Sequence, residues 1–292
     1  MRKKIVGIFV CTLLIATVAI PISAMTKENK IENIPISVST DVPTWQVGDS
    51  WTYNTHIYQA APENSSVDMI GIFNGELIFE VVDDSGDIYT LEGLIKPLHG
   101  IIDMPGNIDF KLTRISSQKS TLEIHKSNLS ILKHEFTRKG ISFLKFGPIT
   151  LPIPIQMVMY QKTEFVPMWE ILPFPLFDGK TGDYEYCSMI QETNLSMFWG
   201  LIPLESINGT AGWVGNDTYE CNKDTIIVEA GTFEVYNVSC IVDFGTNAQD
   251  CYFSNYAEDV GNIAHGLYHI DMFNGNTSFH IELELKSTTY SP

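Results

Sequence analysis

The stretch 226–263, IIVEAGTFEVYNVSCIVDFGTNAQDCYFSNYAEDVGNI, limits the fold more than any other. Ile226–Glu229 is a β-branched run cut by Ala230-Gly231, and glycine supplies the positive φ of a tight hairpin turn. Tyr236, Val238, Cys240 and Val242 then fall at every second position, the period of a strand with one buried face. Gly245-Thr246-Asn247 is a second turn signal, and Cys251-Tyr252-Phe253 returns. Folding the chain about Gly245 and Thr246 sets Cys240 opposite Cys251, within reach of a disulfide.

The same grammar runs through the rest of the chain. Trp51, Tyr53 and Tyr58 give a first strand, and Asp83-Asp84-Ser85-Gly86 divides the apolar runs 75–82 and 87–94 as a hairpin. Residues 97–110, with Pro97, Gly100, Pro105 and Gly106, read as loop. Thr121–His125, Leu129–Thr137, Thr181–Ile190 and Gly212–Cys221 read as further strands. In the last strand Phe279, Ile281, Leu283 and Leu285 alternate with His280, Glu282, Glu284 and Lys286, so one face is apolar and the other wet. Many short strands with frequent turns predict a mainly antiparallel β domain over 45–292 with few helices. It is one strongly curved sheet or, alternatively, a two-sheet sandwich.

Residues 141–178 break the pattern. Pro148, Pro152, Pro154, Pro167, Pro173 and Pro175 lie there, a density that excludes a long helix and a central strand. An edge strand or an apolar flap over the sheet is left. Such a flap is either a cover for the core or an adaptable wall for a lipid-like ligand. In the second case Met157, Met159, Met168, Trp169 and Phe174 are the contact residues, because methionine packs tolerantly.

Three motifs carry a resemblance. They are Val47-Gly48-Asp49-Ser50-Trp51-Thr52-Tyr53, Phe174-Pro175-Leu176-Phe177-Asp178-Gly179-Lys180, and Val228-x-Ala230-Gly231-Thr232-Phe233-x-x-Tyr236-x-Val238 with its following aromatic loop. In this order they resemble a family of secreted prokaryotic β domains of unknown function, whose fold is similar to the lipoprotein-carrier half-barrels of the bacterial envelope. Gly182 stands where that family often has Trp, and Asn255-Tyr256 replaces its Ser-Pro neighbourhood. The resemblance implies a half-barrel and an extracytoplasmic compartment. It supplies no catalytic residues.

Arg2, Lys3 and Lys4 precede an apolar run from Ile5 to Ile20, closed by Pro21 and the small residues of Ile22-Ser23-Ala24. This is the pattern of a secretory leader over 1–24, with an N-terminal signal anchor as the alternative. Residues 25–44 read as a polar linker. The polar C-terminal tail predicts no C-terminal anchor. Four cysteines follow the leader; pairing Cys240 with Cys251 leaves Cys187 for Cys221, one of three formal connectivities. Asn64, Asn128, Asn194, Asn208, Asn216, Asn237 and Asn276 open N-x-S/T sequons and are glycosylation candidates.

The net charge of −17 grows more negative when the leader's three basic residues are removed, and such a surface repels nucleic acid and anionic lipid. No nucleophile elbow, P-loop or dinucleotide fingerprint occurs. His134-Glu135 does not extend to a zinc motif, and His265 and His269 on one strand lie about 13 Å apart, too far to share an ion. Glu229, Glu234, Glu282 and Glu284 read as the wet faces of strands. No metal or cofactor is expected. The sequence points to an exported non-enzymatic envelope protein that holds a lipid-like ligand, or alternatively to a structural or adhesive module that contacts another envelope protein.

Overall fold

The computed structural model describes residues 40–60, 69–96, 98–104, 109–146, 149–184, 188–197, 201–212, 218–243, 249–272 and 277–292. The stretch read as a leader, Cys187, the turn signal at 245–247 and the sequons Asn64, Asn216 and Asn276 lie outside them.

Alternation has its expected result. The strands are β1 (Ser50–Ala60), β2 (Met69–Asp83), β3 (Ile88–Ile95), β4 (Leu98–Met104), β5 (Asp109–His125), β6 (Ile131–Phe146), β7 (Ile149–Trp169) and β8 (Lys180–Asp183). They continue as β9 (Ser188–Met197), β10 (Ile202–Gly212), β11 (Thr218–Val228), β12 (Gly231–Asp243), β13 (Gln249–Ala257), β14 (Asn262–Met272) and β15 (Thr277–Thr288). Among the described residues the helical content is one 3-10 turn, Glu258–Val260.

All fifteen strands join one antiparallel sheet, ordered β10-β9-β7-β6-β5-β3-β2-β1-β15-β14-β13-β12-β11-β8. It is one sheet rather than a two-sheet sandwich, and it does not close into a barrel. β4 continues the lane of β3 between β2 and β5, so the stretch read as loop over 97–110 is largely strand. β3 ends at Ile95 and β4 begins at Leu98, so two short strands share one lane.

The connections force curvature. β8 and β9 sit near opposite ends of the order, roughly 60 Å apart if the sheet were flat. Yet Asp183 and Ser188 are only five positions apart, a span of at most about 18 Å. The sheet must therefore bend until its two ends nearly meet. The single strand expected over Thr181–Ile190 is in fact two, one at each end.

The proline-rich stretch is a second correction. β7 is neither an edge strand nor a flap: it pairs with β6 along its length and with β9 from Met157 to Val166. Pro152 and Pro154 precede the β9 contact and Pro167 follows it, so each sits where β7 has a neighbour on at most one side. A missing N–H is tolerated there. The flap is the shorter segment 170–179, called the strap below.

The disulfide framework is the third. β12 and β13 do form a hairpin, but they pair Cys240 with Tyr252 and Ile241 with Cys251. This register is offset by one residue from a symmetric fold-back, so the two cysteine positions are not the directly opposed pair that a bridge needs. Cys240 is a buried thiol rather than half of a bridge, and Cys221 is a free thiol with no exposed surface. Cys187–Cys221 is therefore not formed either.

The concave face carries the core. Trp51, Tyr53 and Ile57 of β1, Phe73 and Val81 of β2, Tyr89 and Leu91 of β3, and Ile281 and Leu285 of β15 point into it. Trp45 plugs one end: its ring lies 4.9 Å from that of Trp51. The two indoles donate to the carbonyls of Gly261 and Val260, both at 2.8 Å. These bonds tie the start of the domain to the β13–β14 corner.

A candidate apolar binding site under the strap

The strap crosses the concave face from β7 to β8. Pro173 and Pro175 keep it out of any ladder, and its carbonyls are satisfied one by one. Thr40 donates to Leu176 O at 2.8 Å and accepts from Leu176 N at 3.3 Å. The Tyr184 hydroxyl donates to Ile171 O at 3.0 Å. Lys180 Nζ donates to Pro173 O and, at 3.0 Å, to Pro175 O. Burial holds the Lys180 ammonium below its usual range. Leu172 and Leu176 pack on Cys221, Val238 and Tyr256, and the Phe174 ring meets Tyr256 edge-on at 5.2 Å. β8 is held down as well. A Cβ on Gly182 would lie 2.5 Å from the Tyr219 hydroxyl, so a bulkier residue is excluded while that ring covers the position.

Beneath the strap lies a cavity of about 140 Å³. Leu77 and Phe79 of β2, Leu91 of β3, Leu122 and Ile124 of β5 and Leu283 of β15 form its walls. Ile171 and Leu172 of the strap roof it, and Trp45 closes one side. These walls are the inward members of the strand alternation, so the face that fills the core elsewhere leaves a gap here.

The polar groups at the rim are internally satisfied. Tyr53 donates to Ile263 O at 2.9 Å, and Tyr268 shares a hydrogen bond with Ser254 at 3.1 Å. Burial pushes both phenols up, Tyr268 to about 12. His134 Nε2 lies 2.8 Å from Ser120 Oγ. Burial, helped by the nearby charge of Arg138, pulls His134 down to about 3, so its imidazole is neutral at physiological pH.

The residues expected at a ligand wall are elsewhere. Met157, Met159 and Trp169 are buried in the core from β7, Met168 points outward, and Phe174 is spent on Tyr256. None of the five lines the cavity. The actual wall residues were visible only as members of alternating strands. Among the described residues no group of three His, Cys, Asp or Glu side chains is placed to hold a metal ion. His265 instead contacts Glu282 at 3.1 Å on the outer face, where Tyr58 also donates to Glu282.

Of the sequons, Asn128 caps Ser130 N at 3.1 Å and Asn194 donates to Glu192 at 3.1 Å. Asn237 is committed to Asn255 at 2.8 Å, and Asn208 lies on β10. No family model, curated protein or solved structure matches this chain.

Proposed function

We propose that this is an exported, non-catalytic envelope protein that holds an apolar ligand on its concave face, under the strap. The observation that carries the reading is the gap of about 140 Å³ walled by aliphatic and aromatic side chains. An engineered apolar cavity of roughly 150 Å³ stays dry and admits a benzene-sized molecule. A space of that size takes a ring or a short run of acyl chain. It is below the roughly 300 Å³ at which sites for larger ligands begin. A longer chain enters by displacing Ile171 and Leu172, which lie on irregular backbone as Trp45 and Leu129 do, while most of the other walls are strand. The test is a titration of the full chain with a fluorescent fatty acid. Saturable binding at one site is expected; a signal that rises linearly without saturation overturns the reading.

A second reading has its own observation. Val166, Met168 and Ile190 are exposed on the outer face of β7 and β9, and Val166 is 55 % exposed. As a contact patch they fit an adhesive or structural module. Sedimentation showing self-association or partner capture that Val166→Asp abolishes would favour it.

A further inference from the structure

We infer that the ligand is an uncharged alcohol or phenol whose hydroxyl is received by His134 Nδ1, with its apolar part in the cavity. The inference rests on the binding reading above and specifies its chemistry. His134 brings an imidazole into a wall made mostly of aliphatic and aromatic side chains. Leu122 stands directly opposite it on β5 and is a wall residue too. The imidazole Nε2 lies 2.8 Å from Oγ of the buried Ser120, and the Phe136 ring lies 5.1 Å from the imidazole. These two neighbours fix the ring.

The other ring nitrogen, Nδ1, has no hydrogen-bond partner among the described residues. Nor is it one of the sealed polar atoms of the core that lack a partner, such as Thr55 Oγ1 and Gln161 Oε1. It therefore borders open space, and the open space that His134 lines is the cavity. Other polar wall atoms are committed: Tyr53 donates to Ile263 O, Tyr268 pairs with Ser254, and Asn262 Oδ1 accepts from Ile263 N at 2.8 Å. Asn262 is also distant in the sheet, with β5, β3, β2, β1 and β15 between its strand and β6.

Burial keeps the imidazole neutral at physiological pH. A neutral ring that donates from Nε2 to Ser120 offers a lone pair at Nδ1, and the other tautomer offers an N–H there. A hydroxyl both donates and accepts, so it satisfies either. A carboxylate gains nothing, because no wall residue carries a charge to meet it; an acid binds through its tail with its head left in water. Leucine at 134 would complete an apolar wall. Histidine instead takes two nitrogens out of water, and Ser120 satisfies one.

The experiment compares phenol with toluene, in which a methyl replaces the hydroxyl, by calorimetric titration of the full chain at neutral pH. Phenol is expected to bind at least as tightly as toluene. His134→Leu is expected to lower the phenol-to-toluene affinity ratio at least about tenfold. A ratio unchanged in His134→Leu overturns the inference and leaves the apolar site standing. So does an unmodified chain that takes toluene and rejects phenol. Binding of neither probe overturns the apolar site itself. If His134→Leu does not fold, nitrogen NMR of the unmodified chain decides the matter. Phenol is expected to move the His134 Nδ1 resonance several times further than toluene does, and equal movement overturns the inference.

Discussion

Lys180 Nζ donates to the carbonyl of Pro175 at 3.0 Å, fastening the end of the strap to the strand that follows it. The same ammonium caps Pro173 O and lies over the rings of Phe177 and Tyr219 at 5.8 and 5.7 Å. One side chain therefore holds two carbonyls that no ladder satisfies. Lys180→Met keeps the stem and removes these bonds. It is expected to lower stability by about 1–3 kcal/mol, measured by urea unfolding. It is also expected to speed exchange of the Leu176 amide, which donates to Thr40 O. Unchanged exchange at Leu176 would show that the strap is held by apolar packing alone.

Glu76 accepts from both Lys96 and Lys286, the latter at 2.7 Å. The two ammonium groups hold its carboxyl far below the usual range, down to about 2. A depressed folded-state pKa contributes stability above the unfolded-state value, and this is lost as pH falls through the folded one. The clamp is therefore fully present above about pH 4.5 and gone near pH 2. Glu76→Gln should be less stable than the parent at neutral pH by an amount that shrinks across this window. A difference that stays constant with pH would mean the carboxylate charge plays no part.

Cys221 is buried, and its thiol is pushed up to about 11 by that burial. It should resist alkylation in the folded protein, because the thiolate is the reactive form. After unfolding without reductant, Cys221 and Cys240 should both be alkylated, as read by peptide mass. A requirement for reductant at either residue would restore the bridges that spacing alone suggested.

The architecture was legible where one face of a strand is buried and the other wet. The alternation at 279–286 and the turns at Gly86 and Gly231 became β15 and two hairpins, both glycines taking positive φ. Proline misled, because sequence shows where an N–H is missing but not whether a neighbour is there to need it. Pro154 is tolerated because β9 reaches β7 only at Met157. The disulfide failed on a register offset of one residue, which symmetry within a sequence cannot fix. The cavity was not legible at all. Leu122 and Ile124 are ordinary strand residues until curvature brings them under Ile171. Arg138, which stands where a zinc motif begun by His134-Glu135 would need its second histidine, is buried, and nothing local in the sequence marks its charge for burial.

The most direct measurement is fluorescent fatty-acid titration of Ile124→Phe beside the unmodified chain. The added ring occupies the gap without removing a wall. Binding should be lost or fall at least about tenfold, with circular dichroism and unfolding midpoint preserved or raised. Saturable binding of undiminished strength in the filled variant would contradict a ligand site beneath the strap.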